Sequence, residues 1–435
     1  MHQLIIRKAN LPEGTQRIDI ACNDGRISVV SPQIETSAET EIDASNCLVT
    51  SPFVDSHFHM DSTLTYGRPR VNSSGTLLEG IALWSELKPS IDSADIKRRA
   101  HAMCRWAIAK GNLAIRSHVD ICDPALTAVH SLLEVKKEIS PYLDLQLVAF
   151  PQDGYFRHPE ATRLLDKALD LGVDVVGGIP HFERTQDAGT ASVTALCEIA
   201  ERRGLMVDLH CDESDDPHSR HVETLCAETQ RLGLESRVTG SHLTSMHSMD
   251  NYYAGKLLSI IEETQLHVIA NPLINITLQG RMDSYPKRRG MTRVKEMMER
   301  GINVAMGHDC VLDPWYAQGS HDMLEVAQMG LHIAQMTGQE DVHKIFAAVT
   351  TNAAKILQLQ DYGLAPGCYA DLVILQASNP AEALRLRPSR LYVIRRGEII
   401  AQSQPAVSQV NLFGQTYPVA FRDSEYAPAT DVMLT

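Results

Sequence analysis

The sequence predicts an α/β fold: a (β/α)8 TIM barrel with a small β-sandwich domain formed by the N- and C-terminal segments. Three observations point there. Across residues 51–363, apolar runs of strand length alternate with amphipathic stretches of helix length, the pattern of a parallel sheet wrapped by helices. The flanks, 1–50 and 364–435, carry short β-type runs and turns instead. Polar, chemistry-bearing residues recur just after the apolar runs, at the end of a barrel where reactive groups gather. With 435 residues, the chain is long enough for a barrel and a satellite. An open, doubly wound sheet is the competing architecture, because periodicity alone does not separate closed sheets from open ones.

Taken in order, strand-like runs at 4–6 and 17–20 precede one at 23–30, where Asp24-Gly25 signals a hairpin. The apolar run 47–54 reads as the first barrel strand. Further strand candidates include 114–119, 145–150, 173–179, 205–210, 238–242, 267–271 and 302–308. Helices are expected between them, among them 161–171, 194–203, 219–232 and 256–264. Strand character returns at 371–375, 391–395 and 398–401, with Arg396-Gly397 as a turn.

Composition excludes some partners. Lys and Arg number 40 against 54 Asp and Glu, a formal net charge of −14. With no long basic run, a nucleic-acid groove is not expected, since binding a polyanion needs clustered cations. No apolar stretch has the length of a membrane span, and residues 1–10 lack the pattern of a signal peptide. Nine cysteines lie scattered without C-x-x-C spacing, which suits small buried residues in a reducing, cytoplasmic setting. Lys287-Arg288-Arg289 reads as a loop that holds neighbouring carboxylates.

The sharpest chemical signal is Val54-Asp55-Ser56-His57-Phe58-His59. Residues two apart on a strand point the same way, so His57 and His59 can aim both imidazoles at one cation. Other expected strands also close on polar groups: His210 with Glu213 three residues on, His242, Asp309, and Gln152 after Phe150-Pro151. One polar strand end is ordinary. Five at the same end of one barrel make a metal site. His118 and Asp120, placed at the end of a third strand, serve either as supports of that site or of the fold. His308 alternates outward.

Those histidines and Asp309, in this order, resemble the amidohydrolase superfamily, and within it the bacterial cytosine deaminase type. The resemblance runs from about residue 4 to about 405. It is carried by Ser74-Gly75-Thr76-Leu77-Leu78-Glu79-Gly80, by His210-Cys211-Asp212-Glu213 and by Asn271-Pro272-Leu273-Ile274-Asn275-Ile276. Val175-Val176-Gly177-Gly178-Ile179-Pro180-His181-Phe182-Glu183 and Asp313-Pro314-Trp315-Tyr316 also match. The resemblance implies a barrel with a β-sandwich and His57, His59, His210 and Asp309 as metal ligands. No lysine suited to bridging two metals stands at strand 4, where Phe150-Pro151-Gln152 is found, so one divalent metal per chain is expected, Zn2+ or Fe2+. Its task is to activate water near neutral pH. Glu213 is then the proton shuttle, His242 orients the water, and Asp309 also accepts a proton. Leu77, Gln152, Cys310 and Trp315 are the expected substrate contacts. His181-Phe182-Glu183 is given a supporting role.

One departure matters. The family carries two successive aspartates where this chain has Asp309-Cys310. Replacing a charged group by a thiol removes a hydrated neighbour from the C5 side of a pyrimidine ring and leaves a surface that a methyl can touch. The expected activity is therefore conversion of 5-methylcytosine to thymine and of cytosine to uracil, with release of ammonia. The alternatives are a plain cytosine deaminase, or a deaminase of another amidine base such as isocytosine. The expected partners are a small pyrimidine base and further copies of the chain in a homo-oligomer, not nucleic acid or a membrane.

Overall fold

The computed structural model describes residues 1–419 and 421. The N-terminal segment forms β1 (His2–Ala9), β2 (Ile18–Asn23), β3 (Arg26–Ser31), β4 (Ala38–Asp43) and β5 (Leu48–Thr50). The eight strands of the central sheet are β6 (Phe53–Phe58), β7 (Asn112–Asp120), β8 (Asp144–Phe150), β9 (Val175–Gly178), β10 (Met206–Cys211), β11 (Val238–His242), β12 (His267–Ala270) and β13 (Val304–Met306). The chain ends in β14 (Leu372–Leu375), β15 (Arg390–Arg395), β16 (Glu398–Gln402), β17 (Ser408–Leu412) and β18 (Gln415–Val419).

Strands β6 to β13 pair in parallel and in sequence order. Just past β13, Asp309 pairs with Phe58: its N–H donates to His57 O at 2.8 Å, and the His59 N–H donates to Asp309 O at 3.1 Å. The last strand thus reaches back to the first, and the closed alternative wins over the open sheet. Buried on both sides, the strands read as continuous apolar runs; every residue of β7 is buried. The outer helices are amphipathic. In Ala161–Asp170, residues 161, 164, 165, 168 and 169 are buried, one stripe of a 3.6-residue repeat. Helix Gln186–Arg203 begins eight residues before its apolar pattern shows, because Thr185 caps it through the Ala188 N–H; it ends at Gly204, whose φ of 68° suits a glycine C-cap.

The flanks build two four-stranded sheets, ordered β3-β2-β1-β4 and β16-β15-β14-β5, and a separate two-stranded sheet of β17 and β18. Asp24-Gly25 forms the β2–β3 turn with φ of 48° and 73°, as the hairpin signal required. Between the four-stranded sheets lie Leu4, Ile6, Ile20, Ile27, Val49, Leu372, Ile374 and Ile394. Alternation along β14 and β5 makes a seam: Leu372, Ile374 and Val49 face that core, while Val373, Leu375 and Leu48 face the barrel core. The run 47–54 is not one strand. Ser51-Pro52 breaks it, giving β5 to the sandwich and β6 to the barrel; Pro52 lacks the N–H that a ladder needs. We keep 1–50 with 364–435, and 51–363, as the proposed domain division; residues 420 and 422–435 lie outside the described residues. Among the described residues no helix is long and apolar enough to cross a membrane. All nine cysteines are free and eight are buried.

Candidate active site at the C-terminal rim of the barrel

Four strand ends converge on the barrel axis. His57 lies on β6 and His59 just beyond it; His210 ends β10 with Glu213 following; His242 ends β11; Asp309 follows β13. All six side chains are buried. Asp309 Oδ1 lies 3.6 Å from His57 Nε2 and 3.4 Å from His59 Nε2. His59 Nε2 faces His210 Nε2 at 3.1 Å. On the far side, His242 Nε2 is 3.9 Å from Asp309 Oδ2, and its Nδ1 is 3.6 Å from Glu213 Oε1. Asp212, His242 and Asp309 have φ of 52°, 73° and 68°. Left-handed backbone at a non-glycine residue costs about 1–3 kcal/mol and is tolerated where function demands it.

Burial sets the charge states. Desolvation, reinforced by the neighbouring imidazoles, pushes His57 and His210 well below the usual histidine range. Burial likewise holds His242 at about 4. Burial opposes ionisation of Asp309, but the hydrogen bonds from His59 and Cys310 and the charges of His242 and His59 together outweigh it and hold the carboxyl below its usual value; burial likewise lowers His59, while Asp309 together with Asp61 and Asp313 raises it. Glu213 goes the other way. Burial, then the charge of Asp309, lifts it well above the carboxylate range, which favours the protonated form of this carboxyl group.

These residues fit a divalent metal. His57 Nδ1 lies 3.0 Å from Ser241 Oγ, which in turn donates to Asp208 Oδ1 at 2.6 Å. Ser241 Oγ must therefore accept from His57 Nδ1–H, and the lone pair of Nε2 points into the site. That nitrogen is buried and has no hydrogen-bond partner among the described residues. His57, His59 and Asp309 bring ligand atoms within 4.8 Å of one another, as do His57, His210 and His242. Neutral imidazoles with one carboxylate form a donor set for a borderline cation.

A cavity opens above these groups. His59, His210, Glu213, His242 and Asp309 line it together with the expected contacts Leu77, Gln152, Cys310 and Trp315; His57 lies beneath them. The Cys310 thiol sits 3.6 Å from Asp309 Oδ1. It also faces the buried carboxyl group of Asp313, and it clusters with Ile274 and Leu278, against which Leu77, Trp315 and Tyr316 pack. Trp315 is pressed against Gly80 of helix Leu77–Leu87, where a Cβ would come within 2.3 Å of its Cδ1.

Several expectations need correction. His118 and Asp120 close the second barrel strand, and Phe150 the third, not the third and fourth. The fourth is β9, followed by Ile179-Pro180-His181, and it too offers no lysine. His181 and Phe182, expected as supports, line the cavity. Glu183 turns away to accept the Phe156 N–H. His118 packs 4.2 Å from the His57 ring and 4.5 Å from His210, centroid to centroid, beneath the site. Asp120 accepts from Trp84 Nε1 at 2.9 Å and Lys88 Nζ at 2.8 Å. In the loop 287–289, Arg288 pairs with Asp283 as expected, while Lys287 and Arg289 donate to backbone carbonyls. The sequence reading missed Asp208, Ser241 and Asn275. Asp208 had a signal: it lies two residues before His210 on one strand, and so points inward with it.

Residues 40–401 match the family described as the amidohydrolase family. The chain belongs to that family. Its fold superposes on the crystal structure of the 5-methylcytosine deaminase from Klebsiella pneumoniae liganded with phosphonocytosine with a TM-score of 0.90. Sequence identity there is 42%, covering 93% of this chain and 99% of that one. The N-isopropylammelide isopropyl amidohydrolase of Pseudomonas sp. (strain ADP) is 28% identical, over 93% of this chain and 98% of that protein. The pterin deaminase of Rhizobium rhizogenes is 29% identical over 90% of each. These relatives of the amidohydrolase thus act on different nitrogen rings.

Proposed function

We propose that this amidohydrolase is a hydrolytic deaminase of a free pyrimidine base, converting 5-methylcytosine to thymine and, less efficiently, cytosine to uracil. Water adds at C4 and the amino group leaves as ammonia. In this reading His57, His59, His210 and Asp309 hold one divalent cation, Zn2+ or Fe2+. The cation supplies an activated water near neutral pH. Glu213, protonated through burial, gives its proton to ring N3, because attack on the amidine otherwise builds negative charge on the ring. Left as a carboxylate, Glu213 then takes the proton of the new C4 hydroxyl and delivers it to the departing amine, and the proton held by Asp309 restores it at the end of the cycle. His242 orients the water from across the site, and Asp309 takes its proton. Gln152 offers a donor and an acceptor in one plane, which match the O2 and N–H edge of the base.

The observation that carries the substrate is the setting of Cys310. The uncharged thiol contacts the buried Asp313 carboxyl group and is flanked by Ile274, Leu278, Leu77 and Trp315, side chains that give the corner beside the reaction centre an apolar surface for a methyl. One methyl buried there gains roughly 1 kcal/mol. A carboxylate at the same place would lose hydration worth about 1–3 kcal/mol when covered by that methyl. The likeness to a Klebsiella enzyme described as a 5-methylcytosine deaminase supports the same choice. The test is kcat/KM for 5-methylcytosine, cytosine and isocytosine on metal-replete protein, with Cys310→Asp alongside. The wild type should prefer 5-methylcytosine, and the variant should move the ratio toward cytosine by roughly one to three powers of ten. A strong wild-type preference for cytosine, or a ratio untouched by the substitution, refutes the methyl reading. Turnover of isocytosine alone, whose amino group is on C2, refutes attack at C4.

A further inference from the structure

We infer that Asn275 fixes the tautomer of His242, so that this ring presents an N–H, and not a lone pair, to the reaction centre. The inference rests on reading the rim as a deaminase site. A neutral imidazole has one N–H and one lone pair, and which nitrogen holds the proton follows from the hydrogen bonds around it. His242 is 1% exposed, so protein groups decide. Asn275 Nδ2 lies 2.9 Å from His242 Nδ1. The other end of that amide is fixed: Asn275 Oδ1 lies 3.0 Å from the backbone nitrogen of Asn271, which can only donate. Turning the amide over would set two donors against each other. Nδ2 therefore donates, Nδ1 accepts, and the ring proton is on Nε2.

No other neighbour overrides this assignment. Asn271 Nδ2 is almost equidistant from the two ring nitrogens, at 3.3 Å and 3.4 Å. In the ring plane that position would collide with Cε1, so the amide lies over the face, where no lone pair points. Glu213 Oε1, at 3.6 Å from Nδ1, is beyond hydrogen-bond reach. On the other side, Nε2 looks toward Asp309 Oδ2 at 3.9 Å, across the place where the attacking oxygen must sit. An N–H there donates to that oxygen and stabilises the charge it develops; it cannot remove a proton. Proton transfer is left to Asp309 and Glu213. Asn275 is a positioning residue, acting through His242, and its place one helical turn beyond Asn271 in Pro272–Leu278 holds the amide rigid.

Neutron diffraction from perdeuterated crystals of the metal-loaded protein reads the tautomer directly. Deuterium is expected on His242 Nε2 and not on Nδ1. Asn275→Asp keeps the shape and the bond from the Asn271 N–H, but its second oxygen requires a donor at Nδ1. In that variant deuterium should appear on Nδ1. Its kcat for 5-methylcytosine should fall by roughly 10²–10³, the loss typical of one oxyanion donor, with metal content unchanged. Asn275→Ala, which leaves Nδ1 without a fixed partner, should give a smaller loss and serves if the aspartate variant does not fold. Deuterium on Nδ1 in the wild type overturns the inference, as does an unchanged kcat in both variants. Inactivity of the wild type on every pyrimidine would defeat the functional reading instead, and the neutron map would still decide the tautomer.

Discussion

Two layers of the barrel interior bury polar groups a few ångströms apart, and they treat them in opposite ways. In the lower layer Arg116 is fully buried. It pairs with Asp208 at 3.0 Å, donates to Gln146 Oε1 at 2.7 Å and to Ile356 O at 2.9 Å. In the upper layer His57 Nε2 has no partner among the described residues, and His59 and His210 turn ring nitrogens toward each other. A buried polar group without a partner is costly, so the lower layer reads as structure and the upper one as a binding site. Asp208 and Ser241 join the two, because Asp208 takes Arg116 on one oxygen and, through Ser241, steers His57 with the other.

If that contrast is right, substitutions in the two layers fail differently. The largest effect belongs above. Ala in place of His57, His59, His210 or Asp309 should remove metal and activity together while the fold persists, measured by metal analysis on purified protein and ammonia release. Two tightly bound metals per chain, or full activity after chelation, would break the assignment. Glu213→Gln comes next: metal and melting temperature stay, and kcat drops beyond the ~10²–10⁴ of a single acid–base step, because both proton transfers use this carboxyl group. Near-normal turnover would move the shuttle elsewhere. Below, Arg116→Met should cost about 3–5 kcal/mol in urea unfolding, since it leaves Asp208 buried and uncompensated. Metal bound per folded chain should change little. An Arg116→Met protein as stable as the wild type would erase the distinction between the layers.

The same contrast explains what was legible in the sequence. Strand ends could be read because a buried parallel strand is an apolar run and the polar residue after it breaks the run visibly; His57, His59, His210, His242 and Asp309 all announce themselves that way. The lower layer could not, because Arg116 and Asp208 sit inside strands, where one residue gives no hint of its partner 92 positions away. The split of 47–54 between two sheets was hidden for a related reason: local pattern records burial, and both strands are buried. Asn275 was quoted within a motif, but nothing about an asparagine on a short helix says that its amide meets His242.

The smallest expected effect tests the wall of the cavity, which belongs to neither layer. Gly80 faces Trp315 from helix Leu77–Leu87 with no room for a Cβ. The Trp315 backbone cannot retreat easily, since Asp313 Oδ1 accepts the N–H groups of both Trp315 and Tyr316 at 2.9 Å. Gly80→Ala must therefore rotate the indole toward the cavity or lift the helix, and lifting it carries Leu77 along. Either movement alters the apolar corner beside Cys310 without touching Glu213 or the histidines. KM for 5-methylcytosine should rise roughly tenfold, equivalent to about 1.4 kcal/mol, with kcat and metal content close to wild type. The steric origin can be isolated with a double-mutant cycle. In a Trp315→Leu background the clashing atoms are gone, so Gly80→Ala should add no further loss. A rise in KM of the same size in both backgrounds would show that the glycine serves the helix alone, and that Trp315 does not form the wall.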